Sequence, residues 1–149
     1  MTVEVQIATA GDIDSLLPMI AELYAHEHIP FDEEVLRPAL WTLLTSHSLG
    51  FVCLMRVNGA PAGYLITTFG YDIEFGGRQA TVTDVYVQPE FRRQGVAAAA
   101  LQFAEQTCRD RGVRALELQV SDGNTSASDA YEKAGFAMSK RFVMNKRLI

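Results

Sequence analysis

The hydrophobic and polar positions of the N-terminal third follow two different periods. Apolar and polar residues alternate over Val3–Ala8, which predicts a strand, and apolar residues then recur at helical spacing over Ile13–His26. Asp32 is a candidate N-cap for a second helix, whose expected buried stripe comprises Val35, Leu36, Ala39, Leu40, Leu43 and Leu44. Because Pro18 and Pro38 interrupt these patterns, the two helices are expected to form an irregular cover.

From Phe51 the period changes to two. The segments "FVCLMRV" and "AGYLITTF" flank the turn "NGAP", so they predict a hairpin, and "RQATVTDVYV" predicts a third successive strand that ends at Pro89. A helix is then expected from about Gly95 to Arg111, closed by Gly112. The pattern of three strands in a row followed by a helix favours an antiparallel arrangement for this part of the sheet.

The remaining chain predicts a strand in "VRALELQV", a short helix in "SDGNTSASDAYEKAGF" that stops at Gly135, and one or two final strands in "FAMSKRFVMNKRL". The predicted order is β-α-α-β-β-β-α-β-α-β, without repeats or linkers. The 149 residues are therefore expected to form a single domain, residues 1–149, of the mixed α/β (α+β) class with helices on both faces of one sheet.

Charge and composition reduce the classes of partner and ligand that the sequence allows. The net charge of −5 disfavours a nucleic-acid partner, because phosphate binding needs a basic face. No apolar run is long enough to span a bilayer and the N-terminus does not resemble a signal peptide, so we expect a cytoplasmic protein without a membrane partner. Cys53 and Cys108 are expected to be buried reduced thiols, and the histidines lack metal-ligand spacing, so no metal is expected.

The segment "QPEFRRQGVAAAA" places two arginines and a glycine directly before a helix of small residues. The first amides of a helix have no intrahelical partner and lie at the positive end of its dipole, so an anion can bind there when no bulky side chain intervenes. The alternative is that the arginines are solvated and that the alanines only allow the helix to pack closely on the sheet. Taken alone, the spacing does not separate these interpretations.

The surrounding residues resemble the GCN5-related N-acetyltransferase (GNAT) family. The segment "DVYVQPEFRRQGVAAAAL" is similar to its acyl-CoA-binding signature, Gln/Arg-x-x-Gly-x-Gly/Ala, at Arg92, Gly95 and Ala97. A second signature is matched by Asn124, Tyr131 and the pair Gly135-Phe136. The resemblance implies an acyl-CoA N-acyltransferase fold, in which a central, mostly antiparallel sheet contains one splayed pair of parallel strands.

The resemblance also implies acetyl-CoA as the acyl donor. Its pyrophosphate would lie on the helix start, where the expected cofactor-binding residues are Arg92, Arg93, Gln94, Gly95, Val96, Ala97 and Ala98. Its pantetheine arm would pair with the backbone around Val85, Tyr86 and Val87 like an added strand, and Asn124 would bond the same arm. The thioester would lie between this strand and the one within 113–120.

Two residues are candidates for catalysis. Tyr131 is expected to protonate the leaving thiolate, the alternative being that its ring packs under the cofactor and only hydrogen-bonds the sulfur. Asp84 is expected to accept the proton of the amine, through water; alternatively it is structural or binds the substrate ammonium. Because neither cysteine lies near the helix start, we expect direct transfer in a ternary complex, without an acyl-enzyme.

The acceptor is expected to be a primary amine, on a small molecule or a protein. Acidic residues that could bind a cation, or form only a solvated face, are Glu27, Asp32, Glu33, Asp72 and Glu74. Aromatic residues that could line the acceptor pocket, or only fill the core, are Tyr24, Phe31, Trp41, Tyr71 and Phe75. The last strand is a candidate for pairing with a second copy, so a homodimer is one expected assembly.

Two other classes of protein remain open from the sequence. A non-catalytic acyl-CoA-binding regulatory module would keep the helix start but would need neither the acid Tyr131 nor an acceptor pocket. A mononucleotide-binding protein could use the same helix start without requiring a pantetheine arm.

Overall fold

The computed structural model describes residues 2–119 and 125–149. The chain divides into two compact units, Met1–Gln119 and Val120–Ile149, and each is described by itself. The organisation of residues 1–149 as a single domain therefore stays a prediction.

The first unit is a five-stranded sheet with helices on both faces. Its elements are β1 (Val3–Ile7), a 3-10 turn (Ala10–Asp12), α1 (Ile13–His26), α2 (Glu33–Thr45), β2 (Gly50–Val57), β3 (Ala60–Asp72), β4 (Gly77–Val87), a 3-10 turn (Pro89–Phe91), α3 (Val96–Asp110) and β5 (Ala115–Leu118). The strands lie in the order β1-β2-β3-β4-β5. All neighbours are antiparallel except β4 and β5, which are parallel, so the predicted fold class is confirmed.

The alternation of side chains along β2 separates two hydrophobic layers. Val52 and Leu54 belong to the core that α1 and α2 cover, together with Leu16, Leu17, Ile20, Leu40, Leu44, Tyr64 and Tyr86. Cys53, between them, lies on the opposite face close to Cys108 of α3. Both cysteines are free and buried, as predicted. Each raised thiol pKa, about 12 for Cys53 and about 11 for Cys108, results mainly from burial.

Helix α2 buries less than its pattern predicts. Asp32 caps the helix as expected, since its side chain accepts the N–H of Glu34 at 3.1 Å. However, Val35 is 60% exposed and Ala39 is exposed as well. The N-terminal half of α2 instead carries a solvent-exposed ion pair to α1, between Arg37 and Asp14 (3.0 Å).

The second unit contains α4 (Thr125–Lys133), and Gly135, two residues after the helix, has φ +99°. The prediction of one or two final strands is wrong, because residues 136–149 form none. Alternating apolar residues make a strand only where another backbone pairs with them. Phe142, Val143 and Met144 instead have exposed side chains. Pairing of this segment with a second copy stays a prediction.

Within residues 2–119 and 125–149, no helix combines the length and the apolar character that a membrane span needs.

Candidate active site

Strand β5 is shorter than its parallel neighbour β4 and pairs with only part of it. Gln79–Val82 of β4 pairs with Ala115–Leu118, where β5 ends. Strand β4 continues to Val87 and remains paired with β3 on its other side. Beyond Val82, β4 therefore has no strand partner on the β5 side among the described residues, and this unpaired edge is called the opening below.

The direction of the backbone groups at this opening follows from the β3–β4 register. The N–H of Gln88 donates to the carbonyl of Ala62 (2.7 Å), so even-numbered residues here direct their polar groups to β3. Because successive residues alternate, Val85 and Val87 direct theirs to the open side. The carbonyl of Val87 already accepts from Arg92 Nε at 2.8 Å, which leaves its N–H and both groups of Val85 at the opening.

The N-terminus of α3 follows β4 after one short turn, and the groups available there belong to the main chain. Gly95 is the N-cap, with φ +78° in the left-handed region, and it provides no capping side chain. A Cβ at this position would meet nothing within 4 Å. The N–H of Ala99 donates to the carbonyl of Gly95 (3.0 Å), so the N–H groups before it have no intrahelical partner.

The neighbouring side chains fold back rather than over this helix start. Arg92 lies across the ring of Tyr86 (5.8 Å) as well as bonding Val87, and Gln94 Nε2 donates to the carbonyl of Glu90 (3.2 Å). Arg93 has φ +64° and is exposed. The side chain of Val96 is only 2% exposed, so this residue can offer a ligand only its backbone.

Asp84 lies on β4 where the strand carries a bulge. Ile66 pairs with Asp84 but its neighbour Thr67 pairs with Val82, so Thr83 is an extra residue in β4. The phenol of Tyr64, on β3, donates to Asp84 Oδ2 at 2.9 Å. The bulge and the register therefore bring a buried tyrosine and the candidate base together.

The electrostatics of Asp84 are dominated by its partial burial. Burial raises the pKa of Asp84, while hydrogen bonds from the Tyr64 and Thr83 hydroxyls act in the opposite direction. Burial also raises the pKa of Tyr24 on α1, and the charges of Asp84 and Glu27 raise it further. Tyr24, Glu27, Tyr64 and Asp84 are called the phenol–carboxylate cluster below.

Tyr64 was not among the residues that the sequence pointed to. In "AGYLITTF" it reads as one more apolar position of a strand, and it is indeed completely buried. The available signal was the hairpin turn at Asn58–Gly59, which sets the β2–β3 register. The register of β3 against β4, with its bulge, had no such local signal.

Both the side chain and the main chain of Tyr86 make hydrogen bonds within the first unit. Its phenol donates to the carboxylate of Glu22 on α1, and burial followed by this bond raises the pKa of Tyr86 to about 12. As an even-numbered residue of β4 it directs its polar main-chain groups to β3. Val85 and Val87, rather than Tyr86, are therefore the residues of this predicted group that direct main-chain atoms to the opening.

Most of the other predicted acceptor residues have local contacts. Asp32 caps α2, Asp72 accepts the N–H of Glu74 (2.9 Å), and Glu33 lies 3.9 Å from Arg37. Of the five acidic residues, Glu27 is the one that acts on Tyr24 together with Asp84. Among the aromatic residues, Tyr24 and Phe31 contact edge to face (6.4 Å), whereas Trp41, Tyr71 and Phe75 are exposed.

Tyr131 lies in the second unit, on α4. It is half-buried, its ring contacts Phe136 edge to face (6.4 Å), and burial raises the pKa of its phenol. Its carbonyl accepts the N–H of Phe136 (3.0 Å). Asn124, the other predicted cofactor-binding residue in this part of the sequence, lies outside the described residues.

Comparison with known proteins identifies the class to which this fold and site belong. The model of the Acetyltransferase (GNAT) family matches residues 17–136, most of the chain, and the chain belongs to that family. It is therefore an acyltransferase enzyme of a family that uses acetyl-CoA.

Individual relatives agree with this assignment. The thialysine N-epsilon-acetyltransferase of Bos taurus is 28% identical over 141 residues, covering 89% of this chain and 83% of the relative. An integron cassette protein from the mobile metagenome of Cole Harbour Salt Marsh has a TM-score of 0.87 and 32% identity, over 97% of this chain and 90% of its own. An aminoglycoside N-acetyltransferase solved with CoA shares the fold at a TM-score of 0.84 and 14% identity, over 99% and 96%.

Proposed function

We propose that this enzyme transfers the acetyl group of acetyl-CoA to a cationic primary amine, by direct attack within a ternary complex. The observation that carries the proposal is the first turn of α3, whose N–H groups have no intrahelical partner and whose N-cap is a left-handed glycine without a side chain. It lies just beyond the open edge of β4. A helix start of this kind suits a phosphate group, and an open strand edge suits an extended amide chain.

The residues proposed to hold acetyl-CoA follow from these two features. The pyrophosphate would bind the N–H groups at Gly95–Ala98, with Arg93 adding charge from the exposed turn. The pantetheine amides would pair with Val85 and with the N–H of Val87. Asn124 remains part of this proposal by its resemblance to the family signature.

Asp84 and Tyr131 are the proposed proton-transfer residues. Asp84 would accept, through water, a proton from the substrate ammonium, which is otherwise protonated at neutral pH. The neutral amine then attacks the thioester carbonyl, the C–N bond forms and the C–S bond breaks. Tyr131 would give its proton to the departing thiolate, so CoA leaves as the thiol. The proton that the attacking nitrogen must still lose to become an amide would return to the Tyr131 phenolate through water.

The role of Tyr131 is tested by removing its hydroxyl. Tyr131→Phe is expected to lower kcat by about 100-fold, the usual contribution of a general acid, with a small change in KM for acetyl-CoA. Steady-state kinetics of CoA release measure both constants. A normal kcat would leave Tyr131 a packing role only.

The acceptor is proposed to be a small molecule with a lysine-like amine. Glu27 and Asp84 both act on Tyr24, so two carboxylates lie near one face of α1, which suits an ammonium group. The relatives named as thialysine N-epsilon-acetyltransferases have a substrate of this kind. A protein amine is the broader alternative within the same chemistry.

The function is tested by measuring CoA release from acetyl-CoA with thialysine, lysine, spermidine, an aminoglycoside and a lysine peptide. Turnover with the amino acids above the others is expected. Calorimetry with acetyl-CoA, dephospho-CoA and ATP tests the donor, and ATP is expected to bind much more weakly because it lacks the pantetheine arm. Tight acetyl-CoA binding without turnover on any amine would instead identify a regulatory module.

A further inference from the structure

The hydrogen bond from Tyr64 to Asp84 joins a fully buried phenol, which has no part in the proposed reaction so far, to the proposed proton acceptor. We propose that Tyr64 is a positioning residue, which fixes the carboxylate of Asp84 for proton transfer by donating to its Oδ2 atom. This inference rests on the proposed function, because it assigns Tyr64 a part in the reaction through Asp84.

The geometry holds the Tyr64 phenol in one place. Its side chain is 0% exposed, and its ring lies 6.1 Å from that of Tyr86, its cross-strand partner. The hydroxyl at the end of this fixed ring is 2.9 Å from Asp84 Oδ2. A carboxylate with one oxygen bound to a fixed donor loses most of its rotational freedom, so its orientation is set before substrate arrives.

The bond also favours the charged form of Asp84. Burial penalises that form, and a hydrogen bond donated to a carboxylate opposes the penalty. Tyr64 from β3 and Thr83 from β4 act on Asp84, whose charge in turn acts on Tyr24 of α1. Glu27, which directly follows α1, acts on both tyrosines. Farther along the same face, Tyr86 is bonded to Glu22 and overlain by Arg92.

None of the described groups that act on Asp84 is a cation. The two hydroxyl donors, from Tyr64 and Thr83, are therefore what keeps Asp84 able to accept a proton before the amine binds. Thr83 is exposed, so its bond competes with water, whereas that of Tyr64 is sheltered. Tyr64 is the donor whose loss should be felt most.

Tyr64→Phe tests the proposal because it removes the donor and keeps the ring. The acid limb of kcat/KM for the amine should move to higher pH by about one unit, the size expected for one hydrogen bond to a charged group. Activity on the acid side should therefore fall about tenfold, with KM for acetyl-CoA unchanged. An acid limb that stays in place would overturn the proposal.

Two controls separate positioning from a structural role. Thr67→Val removes another fully buried hydroxyl of β3, one without a hydrogen-bond partner among the described residues, and should leave the acid limb unchanged. In an Asp84→Asn background, Tyr64→Phe should cause no further loss. Additive losses in the double variant would contradict the proposal.

A second variant that strengthens the donor guards against a Tyr64→Phe protein that fails to fold. A second readout, the titration of Asp84 itself, does not require turnover. Site-specific 3-fluorotyrosine at position 64 is a stronger donor, so it should move the acid limb to lower pH. An NMR titration of the Asp84 carboxyl carbon should show the same directions for both variants, whether or not the correct amine is known. An unmoved titration overturns the role of Tyr64, whereas a moved titration without any turnover counts against the proposed function alone.

Discussion

The N-terminus of α3 and the phenol–carboxylate cluster offer different kinds of groups to a ligand. At α3 the available groups are main-chain N–H groups, the N-cap residue has no side chain, and Arg92 and Gln94 fold back onto the preceding turn. In the cluster the groups are side chains, of which Tyr24, Tyr64 and Asp84 are partly or fully buried, and Tyr64 and Asp84 are in direct contact.

The difference predicts how each region responds to substitution. A site made of backbone tolerates side-chain changes, except at the position where a side chain must be absent. A site made of buried polar side chains is sensitive to the loss of single atoms, because each unsatisfied buried group carries a desolvation cost. The four predictions below test this contrast, starting with the largest effect.

Asp84→Asn should produce the largest loss. It removes the proposed proton acceptor and keeps the side-chain shape, so kcat/KM for the amine should fall about 100-fold or more, with KM for acetyl-CoA near the wild-type value. Kinetics with both substrates varied give the two constants. Asp14→Asn, at an exposed ion pair with Arg37, is the control for loss of one negative charge. Equal effects of the two variants would contradict a special role for Asp84.

Gly95→Val should raise KM for acetyl-CoA by about 10- to 100-fold. A side chain in the left-handed conformation is strained by roughly 1–2 kcal/mol, and valine would also place carbon beside the amides proposed to bind the pyrophosphate. Gly112→Val is a matched control at the other end of α3, since Gly112 has φ +76° and its added Cβ also meets nothing within 4 Å. A similar rise in both variants would indicate strain on α3 rather than a blocked site.

Arg93→Ala should have a smaller effect, a rise of about threefold or less in KM for acetyl-CoA. Its charge acts from an exposed position and is screened by solvent. The effect should shrink further as salt is raised, which a KM series at increasing NaCl measures. A loss larger than that of Gly95→Val would mean that side-chain charge, and not the backbone, dominates the site.

The smallest effect concerns the pH dependence of stability. The native pKa of Asp84 is raised, so the unfolded state ionises first as pH increases, from near its ordinary pKa of about 3.9. As pH rises from about 3.9 to the native pKa of Asp84, the free energy of unfolding of the wild type should fall relative to that of Asp84→Asn. Above the native pKa, the difference between the two proteins should stay constant. Urea unfolding of both proteins at a series of pH values measures these free energies. A wild type that gains stability relative to Asp84→Asn as pH rises would contradict the prediction.

The features predicted correctly are those with local causes. The bounds of α1 and α3, the Asp32 cap and the glycine at the start of α3 follow from periodicity, capping and conformational preference within a few residues. The exposure of Val35 and the absence of final strands depend on what lies opposite each segment. The Tyr64–Asp84 contact depends on a bulge at Thr83 that shifts the β3–β4 register, and no local pattern reports that shift.

The two buried cysteines have a practical chemical consequence. Thiol reagents attack the thiolate, and burial holds the pKa of Cys53 at about 12 and that of Cys108 at about 11. At neutral pH the folded enzyme should therefore react only slowly with a disulfide dye. Free CoA reacts with such a dye at once, so the colour that develops during turnover would count product molecules with little background from the catalyst.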